Sequence, residues 1–233
     1  MQTLDLFSSS PGQDRDTSEC VDVAKQYHLR NADLLLYPQF FPSAEADTMM
    51  DALLGELAWQ QDDIELYGKT HKVPRLSCWY GEPNLRYSYS GISAKALPWT
   101  PLLRQIKNRV NTLLGVQANS SARFDKAPDF KGKPYFNSVL CNLYRNGDDG
   151  VAWHADDEAE LGEQPIIASL SFGALRQFQL KHRYQPALRH SMQLPHGSVL
   201  LMQGQTQSHW LHQLAKSKKP LLPRINLTFR RIV

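Results

Sequence analysis

The feature that most limits the fold is the second half of the chain, a series of short runs suited to strands. They fall at 138–144, 166–172, 176–181, 198–203 and 224–232. Turn signals separate them at Asn146-Gly147, Gly173, Pro195-His196-Gly197 and Pro220 to Pro223. No helical pattern interrupts this half. Consecutive strands without crossover helices argue for antiparallel sheets, and hence for a sandwich or a jelly roll. No Gly-x-Gly-x-x-Gly or Walker loop is present, so nucleotide-cofactor folds are disfavoured.

The first half reads differently. After Pro42-Ser43, the residues Ala46, Met49, Met50, Leu53, Leu54 and Leu57 recur at helical spacing. Glu45 and Asp47 fall in the first turn, where the helix dipole favours acids. A second helix is expected from about Pro101 to Leu114, with Leu102, Leu103, Ile106, Val110, Leu113 and Leu114 on one side and Gly115 as its stop. Both stripes suit packing against a sheet. Between the helices, Ile64 to Gly91 is rich in Tyr, Trp, Gly and Pro and reads as short strands and turns. Residues 1–33 are polar, include Ser8-Ser9-Ser10-Pro11-Gly12, and read as a flexible tail, with order beginning near Leu34. The expected division is therefore tail 1–33 and one domain 34–233. Within that domain, 34–136 carries helices and hairpins, and 137–233 carries the β core.

With 42% hydrophobic residues the chain can bury a real core. No apolar run approaches the roughly 20 residues that span a bilayer, and Met1 to Pro11 lacks the form of a secretory signal. Cys20, Cys78 and Cys141 are odd in number and widely spaced, so neither a disulfide framework nor a Cys-rich zinc site is expected. An intracellular setting follows, cytoplasmic in a bacterium or nuclear in a eukaryote. The net charge of +3 divides unevenly, with three basic and six acidic side chains in residues 1–33 and a balance of +6 beyond. A mildly basic body suits a polyanion. From charge alone, a surface that merely keeps the protein soluble is the simpler reading.

His154-Ala155-Asp156 carries the first chemical signal. On an extended strand, residues two apart face the same way, so one imidazole and one carboxylate can converge on one ion. A second His would complete a two-His, one-carboxylate facial set, which leaves three positions open and suits non-haem Fe(II) oxygen chemistry. The acidic run Asp156-Asp157-Glu158 fits a cation site or a solvated loop better than a packed strand. Spacing does not choose between His209 and His212 as the second His. His182, His190 and His196 sit among turn residues.

A second signal is Arg224-Ile225-Asn226-Leu227-Thr228-Phe229-Arg230. Alternation puts Arg224, Asn226, Thr228 and Arg230 on one face and the apolar residues on the other. Such alternation also fits a strand with one solvated face. The functional reading is a dicarboxylate site, because guanidinium binds carboxylate bidentately in a partly desolvated pocket.

The ordered set resembles the AlkB family of nucleic-acid dealkylases. It consists of Asn142-Leu143-Tyr144, Trp153 to Glu158, Ser169 to Ala174, a distal His, and Pro223 to Arg230. The resemblance covers about residues 64–232 and looks closest to the branch that repairs duplex DNA. It implies an α+β, mainly β fold with a double-stranded β-helix (jelly-roll) core and supporting N-terminal helices. It selects His212 beside His154 and Asp156 for Fe(II), and implies 2-oxoglutarate and O2 as co-substrates. Asn142, Tyr144, Arg224 and Arg230 would bind 2-oxoglutarate, with Asn226 and Thr228 on the same face. Arg224 would take the distal carboxylate and Arg230 would lie near the keto-acid end. The implied reaction removes N-methyl groups from bases such as 1-methyladenine and 3-methylcytosine, releasing succinate, CO2 and formaldehyde.

A base in a duplex must be flipped out to reach such a centre. The resemblance implies Tyr89 as its stacking partner, within a segment that also holds Tyr87 and Ser90, although packed strand aromatics would give the same pattern. Asp157 and Glu158 would balance a cationic base, and Arg75 also matches the family. Tyr67 aligns with a wedge that fills the vacated stack. Lys216, Lys218 and Lys219 would hold phosphates, or form an ordinary solvated loop. Gln2 to Phe7 resembles a peptide that binds the bacterial sliding clamp, with Thr3 interrupting the usual form. The plainer reading of that segment is a tail with three chance apolar residues. Three other readings remain: an RNA or single-strand demethylase of the same chemistry, a catalytically inactive nucleic-acid binder, and a metal-dependent hydrolase. The last has no need for the arginine pair.

Overall fold

A computed structural model describes residues 24–66, 68–83, 85–89, 92–120 and 135–233. In chain order the strands of the first half are β1 (Lys25–Leu29), β2 (Ala32–Tyr37), β3 (Asp63–Leu66), β4 (Lys69–Lys72), β5 (Leu76–Gly81), β6 (Arg86–Tyr89), β7 (Ile92–Lys95) and β8 (Leu97–Pro98). Helix α1 (Ser43–Glu56) follows β2, and α2 (Pro101–Ser120) follows β8. The second half adds β9 (Ser138–Tyr144), β10 (Val151–His154), β11 (Ile167–Gly173), β12 (Arg176–His182), β13 (Arg189–Leu194), β14 (Ser198–Gln203), β15 (Trp210–Leu214) and β16 (Arg224–Arg230), with a short α3 (Thr206–His209) before β15.

Two sheets face each other. The larger has the order β1-β2-β14-β11-β16-β9-β5-β8, and the smaller β10-β15-β12-β13. All pairings are antiparallel except the short β5–β8 contact. This is the expected mainly β sandwich of jelly-roll type. Hairpins β3–β4 and β6–β7 stand apart as separate two-stranded sheets.

Period-two alternation sends residues of the larger sheet to two faces, and each face carries an apolar core. Ile225, Leu227 and Phe229 of β16 join Val139, Cys141 and Leu143 of β9 in one core, with Met49 and Leu53 of α1 and Ile106 and Val110 of α2. The opposite face contributes Leu34, Leu36, Leu140, Ile167 and Leu200 to a second core, shared with Phe178, Leu180, Met192, Leu194 and Trp210 of the smaller sheet. The helices thus cover the outside of the larger sheet and the smaller sheet covers its inside. Arg109 of α2 holds Glu45 of α1 at 2.7 Å and fixes the two helices together.

Three expectations about the first half of the chain and its division differ from what is observed. The helix expected to stop at Gly115 runs on to Ser120. A glycine lowers helix stability by only about 1 kcal/mol, too little to end a helix whose apolar face is already docked. Strand β1 begins at Lys25, inside the stretch read as tail, and pairs with β2 along its length. It lies at the edge of the sheet with a half-exposed pattern, so its polar composition resembles a tail. The larger sheet also draws β1, β2, β5 and β8 from the first half of the chain, so the β core does not begin at residue 137. Among the described residues, no helix is long and apolar enough to cross a membrane. Gln2 to Phe7 and Cys20 lie outside the described residues.

Candidate metal and co-substrate site

A pocket opens between the sheets, lined by Asn142, Tyr144, Arg224 and Arg230 on one side and His154 and His212 on the other. Strands β10 and β15 supply the imidazoles. Their register sets His154 opposite His212, with an irregularity between Val151 and His154. The two rings lie 4.3 Å apart between centroids. Asp156 sits just past the end of β10 rather than on it. Gln207 holds it there by accepting the Asp156 backbone N–H at 3.0 Å. The ligand atoms of His154, Asp156 and His212 all lie within 4.8 Å of one another. His209, the alternative left open by spacing, lies on α3 and turns its Nδ1 to Ser208 and the Gln205 carbonyl. His182 packs its ring near those of His209 and Trp210, His190 lies on β13, and the Gly173 backbone N–H donates to His196.

The electrostatics suit a cation. Burial alone would raise the Asp156 carboxyl, but the Arg230 guanidinium, His212 and His154 outweigh it and hold it below its ordinary value. Burial and the neighbouring His154 push His212 down to about 3, against the pull of Asp156, so its ring is neutral and able to ligate. His154 Nδ1 bonds the Ala152 carbonyl at 2.8 Å. A carbonyl only accepts, so Nδ1 is the donor and Nε2 is the nitrogen left to face the pocket. Two imidazoles and one carboxylate on one side of a pocket fit Fe(II) with open positions.

The far wall comes from β16, β9 and β11. Arg224 pairs in register with Tyr144, and Asn226 with Asn142 and Ser171. All of β16 is buried except the half-buried Asn226, so its polar face looks into the pocket and not to solvent. Arg230 contacts Asp156 at the metal end. Arg224 lies at the other end, 5.5 Å from the Tyr144 ring, and is 2% exposed. Its Nη2 donates to Ser171 Oγ at 2.8 Å and its Nε has no partner. Among the described residues no carboxylate pairs with it. A buried cation left in this state is unfavourable by itself and fits the carboxylate of a bound dicarboxylate. Asn226 and Thr228 face the pocket, but Asn226 donates to Ser169 Oγ and the Leu170 carbonyl and accepts from Thr228. These bonds tie both side chains to β11. Arg75 Nε donates to Asn142 Oδ1 at 2.8 Å and lines the same pocket.

The acids after Asp156 divide. Asp157 is ion-paired with Arg183 near the surface. Glu158 lines the pocket, and its Oε2 is buried with no partner. Lys216, Lys218 and Lys219 are exposed on the loop after β15. Tyr87 and Tyr89 fall on β6, but their side chains, together with Tyr67 and Ser90 entirely, lie outside the described residues. The sequence reading missed Gln207, Arg176 and Arg183, and nothing in their local pattern marks them. Ser169 and Ser171 fall within the quoted Ser169 to Ala174 motif, and their alternation with Leu170 and Phe172 puts them on one face of β11.

The model of the 2OG-Fe(II) oxygenase superfamily matches residues 33–230. Human alpha-ketoglutarate-dependent dioxygenase alkB homolog 3 is 40% identical, over 84% of this chain and 65% of that protein. Mouse DNA oxidative demethylase ALKBH2 is 36% identical, over 88% of this chain and 83% of that protein. The chain thus spans just under two thirds of the length of the alkB homolog 3 relatives it matches. A solved structure of OsALKBH1 shares the fold, with a TM-score of 0.62 at 16% identity, over 89% of this chain and all of that one. With the pocket, the family model and these relatives together, the chain belongs to the 2OG-Fe(II) oxygenase superfamily, among its AlkB homologues.

Proposed function

We propose that this chain removes N-methyl groups from bases such as 1-methyladenine and 3-methylcytosine in DNA, using Fe(II), O2 and 2-oxoglutarate. The observation that carries the proposal is one pocket holding both the His154-Asp156-His212 cluster and the buried cation Arg224, with which no carboxylate pairs among the described residues. A metal-dependent hydrolase would need the first and not the second. Similarity to a protein named DNA oxidative demethylase supports the substrate class.

When bound, Fe(II) with 2-oxoglutarate and O2 supplies the oxidation of the methyl carbon, and the products are succinate, CO2, formaldehyde and the repaired base. The chain's own residues position the reactants. His154, Asp156 and His212 hold the metal. Arg224 and Tyr144 take the distal carboxylate, while Asn142 and Arg230 bind toward the metal end. Asn226 and Thr228 keep that wall in register. Glu158 sets a negative charge against a cationic methylated ring. Tyr89 stacks on the flipped base, Tyr87, Ser90 and Arg75 also take part in binding the substrate, and Tyr67 fills the vacated stack. Lys216, Lys218 and Lys219 contact phosphates. The Gln2–Phe7 segment is assigned to a sliding clamp, and loss of clamp pull-down on deletion of residues 1–10 tests it.

Formaldehyde release from 1-methyladenine, in duplex DNA, single-stranded DNA and RNA, tests the main proposal. Release is expected to need both Fe(II) and 2-oxoglutarate and to be fastest on duplex. Full release without 2-oxoglutarate would overturn the dioxygenase reading. Faster turnover on RNA or single strands would move the substrate and leave the chemistry.

A further inference from the structure

Arg176 opens β12 and is buried, yet it makes no ion pair among the described residues. Its guanidinium donates to three main-chain carbonyls: Asn146 at 3.2 Å through Nη1, and Asp149 at 3.0 Å and Ala215 at 2.7 Å through Nη2. The first two belong to the loop that follows Tyr144, and the third to the loop that follows β15. The two loops also meet directly, Ser217 N–H donating to the Gly147 carbonyl at 2.8 Å. A Cβ on Gly147 would collide with the Ser217 and Lys219 carbonyls, so the backbones touch only because that residue has none.

This brace sits behind the co-substrate end of the pocket. The Arg176 guanidinium lies 6.0 Å from the Tyr144 ring, and Arg224 lies 5.5 Å from the same ring. Tyr144 is thus flanked by two cations. The positive charge of Arg176 also helps, after burial, to lower the Arg224 pKa. A planar fork with five donors can serve three separated carbonyls, which one lysine ammonium does less well.

We propose that Arg176 is a positioning residue for the co-substrate. It seats Tyr144 by bracing the loop that follows it, and adds positive potential where Arg224 takes the distal carboxylate of 2-oxoglutarate. This rests on the role given above to Arg224. The influence of Arg176 is confined to the distal end, because the metal cluster and Arg230 lie at the other.

Calorimetric titration of the full chain loaded with Mn(II) tests this with two ligands. One is 2-oxoglutarate; the other is 2-oxobutanoate, which keeps the keto-acid end and lacks the distal carboxylate. In Arg176→Met the Kd for 2-oxoglutarate rises about tenfold, the low end for removing a group behind a ligand-binding residue, and that for 2-oxobutanoate changes less than about twofold. Arg176→Lys keeps the charge, loses the fork and falls between. Mn(II) affinity is unchanged in both. If Arg176→Met does not fold, Arg176→Lys carries the same comparison. Arg224→Met separates this proposal from the one beneath it. An unchanged Kd for 2-oxoglutarate in Arg224→Met overturns the co-substrate site itself. A raised Kd there, with an unchanged Kd in folded Arg176 variants, overturns the positioning role alone. Equal weakening of both keto acids, or of Mn(II), makes Arg176 merely structural and also overturns the proposal.

Discussion

Replacing Arg224 with methionine is expected to make the co-substrate-free protein more stable while destroying its co-substrate site. Arg224 is 2% exposed, has one hydrogen bond to Ser171 and an unpartnered Nε, and is pushed by burial from its ordinary pKa to about 10. Tyr144 opposes that fall and Arg176 adds to it. At about 1.4 kcal/mol for each factor of ten, the fold disfavours the charged form by roughly 3 kcal/mol. Because a base with a lowered folded pKa is concerned, this destabilisation is fully present below pH 10 and disappears only as pH rises from there toward the unfolded value. Methionine keeps much of the apolar stem, and its loss of the Ser171 bond offsets about 1 kcal/mol. The net gain is about 1–2 kcal/mol, or roughly 2–8 °C in Tm for a domain of this size. Thermal unfolding at pH 7.5 without 2-oxoglutarate measures it, and repeating the scan with saturating 2-oxoglutarate should raise Tm in the parent and not in Arg224→Met. A variant that melts several degrees lower, yet still gains stability from 2-oxoglutarate, would refute both the buried-charge argument and the assignment of Arg224.

Other perturbations separate neighbours within the site. His154→Ala, Asp156→Ala and His212→Ala should each reduce formaldehyde release to background, while His209→Ala retains substantial activity; full activity in Asp156→Ala would sink the metal assignment. Glu158→Gln should weaken binding of a 1-methyladenine oligonucleotide about tenfold, as expected when a charge-assisted contact is lost. Asp157→Asn should have a smaller effect, because that carboxylate is already paired with Arg183 near the surface; the reverse order in a binding titration would exchange their roles. Burial would raise the Asp149 carboxyl, but side-chain and backbone bonds from Arg145 hold it below its ordinary value. Its contribution is present above the ordinary carboxylate range and is lost as pH falls through the folded pKa. A pH series of melting temperatures should therefore show a shallower acid-side fall in Asp149→Asn than in the parent.

The strand pattern of the second half was legible because side-chain alternation is a local, period-two property. It identified β9, β11, β12, β14 and β16 to within about two residues, the usual scatter of such boundaries. The same property put Arg224, Asn226, Thr228 and Arg230 on one face. Local pattern did not show that this face is buried, because a solvated strand alternates in the same way. Burial came from β9 and β11 on either side and from the smaller sheet across the pocket.

The His-x-Asp motif was likewise visible, but spacing could not choose its partner. His209 and His212 are three residues apart, and either could reach a metal until the register of β10 against β15 is known. That register is a long-range pairing that sets His212 opposite His154 and leaves His209 on the preceding helix. The acidic run divides for the same reason, Asp157 meeting Arg183 and Glu158 keeping a bare oxygen at the pocket. The sequence by itself determined the kinds of side chain present and the faces they share along each strand. Only the tertiary structure decided which faces meet, because hydrogen-bonded register and burial depend on residues far apart in the chain.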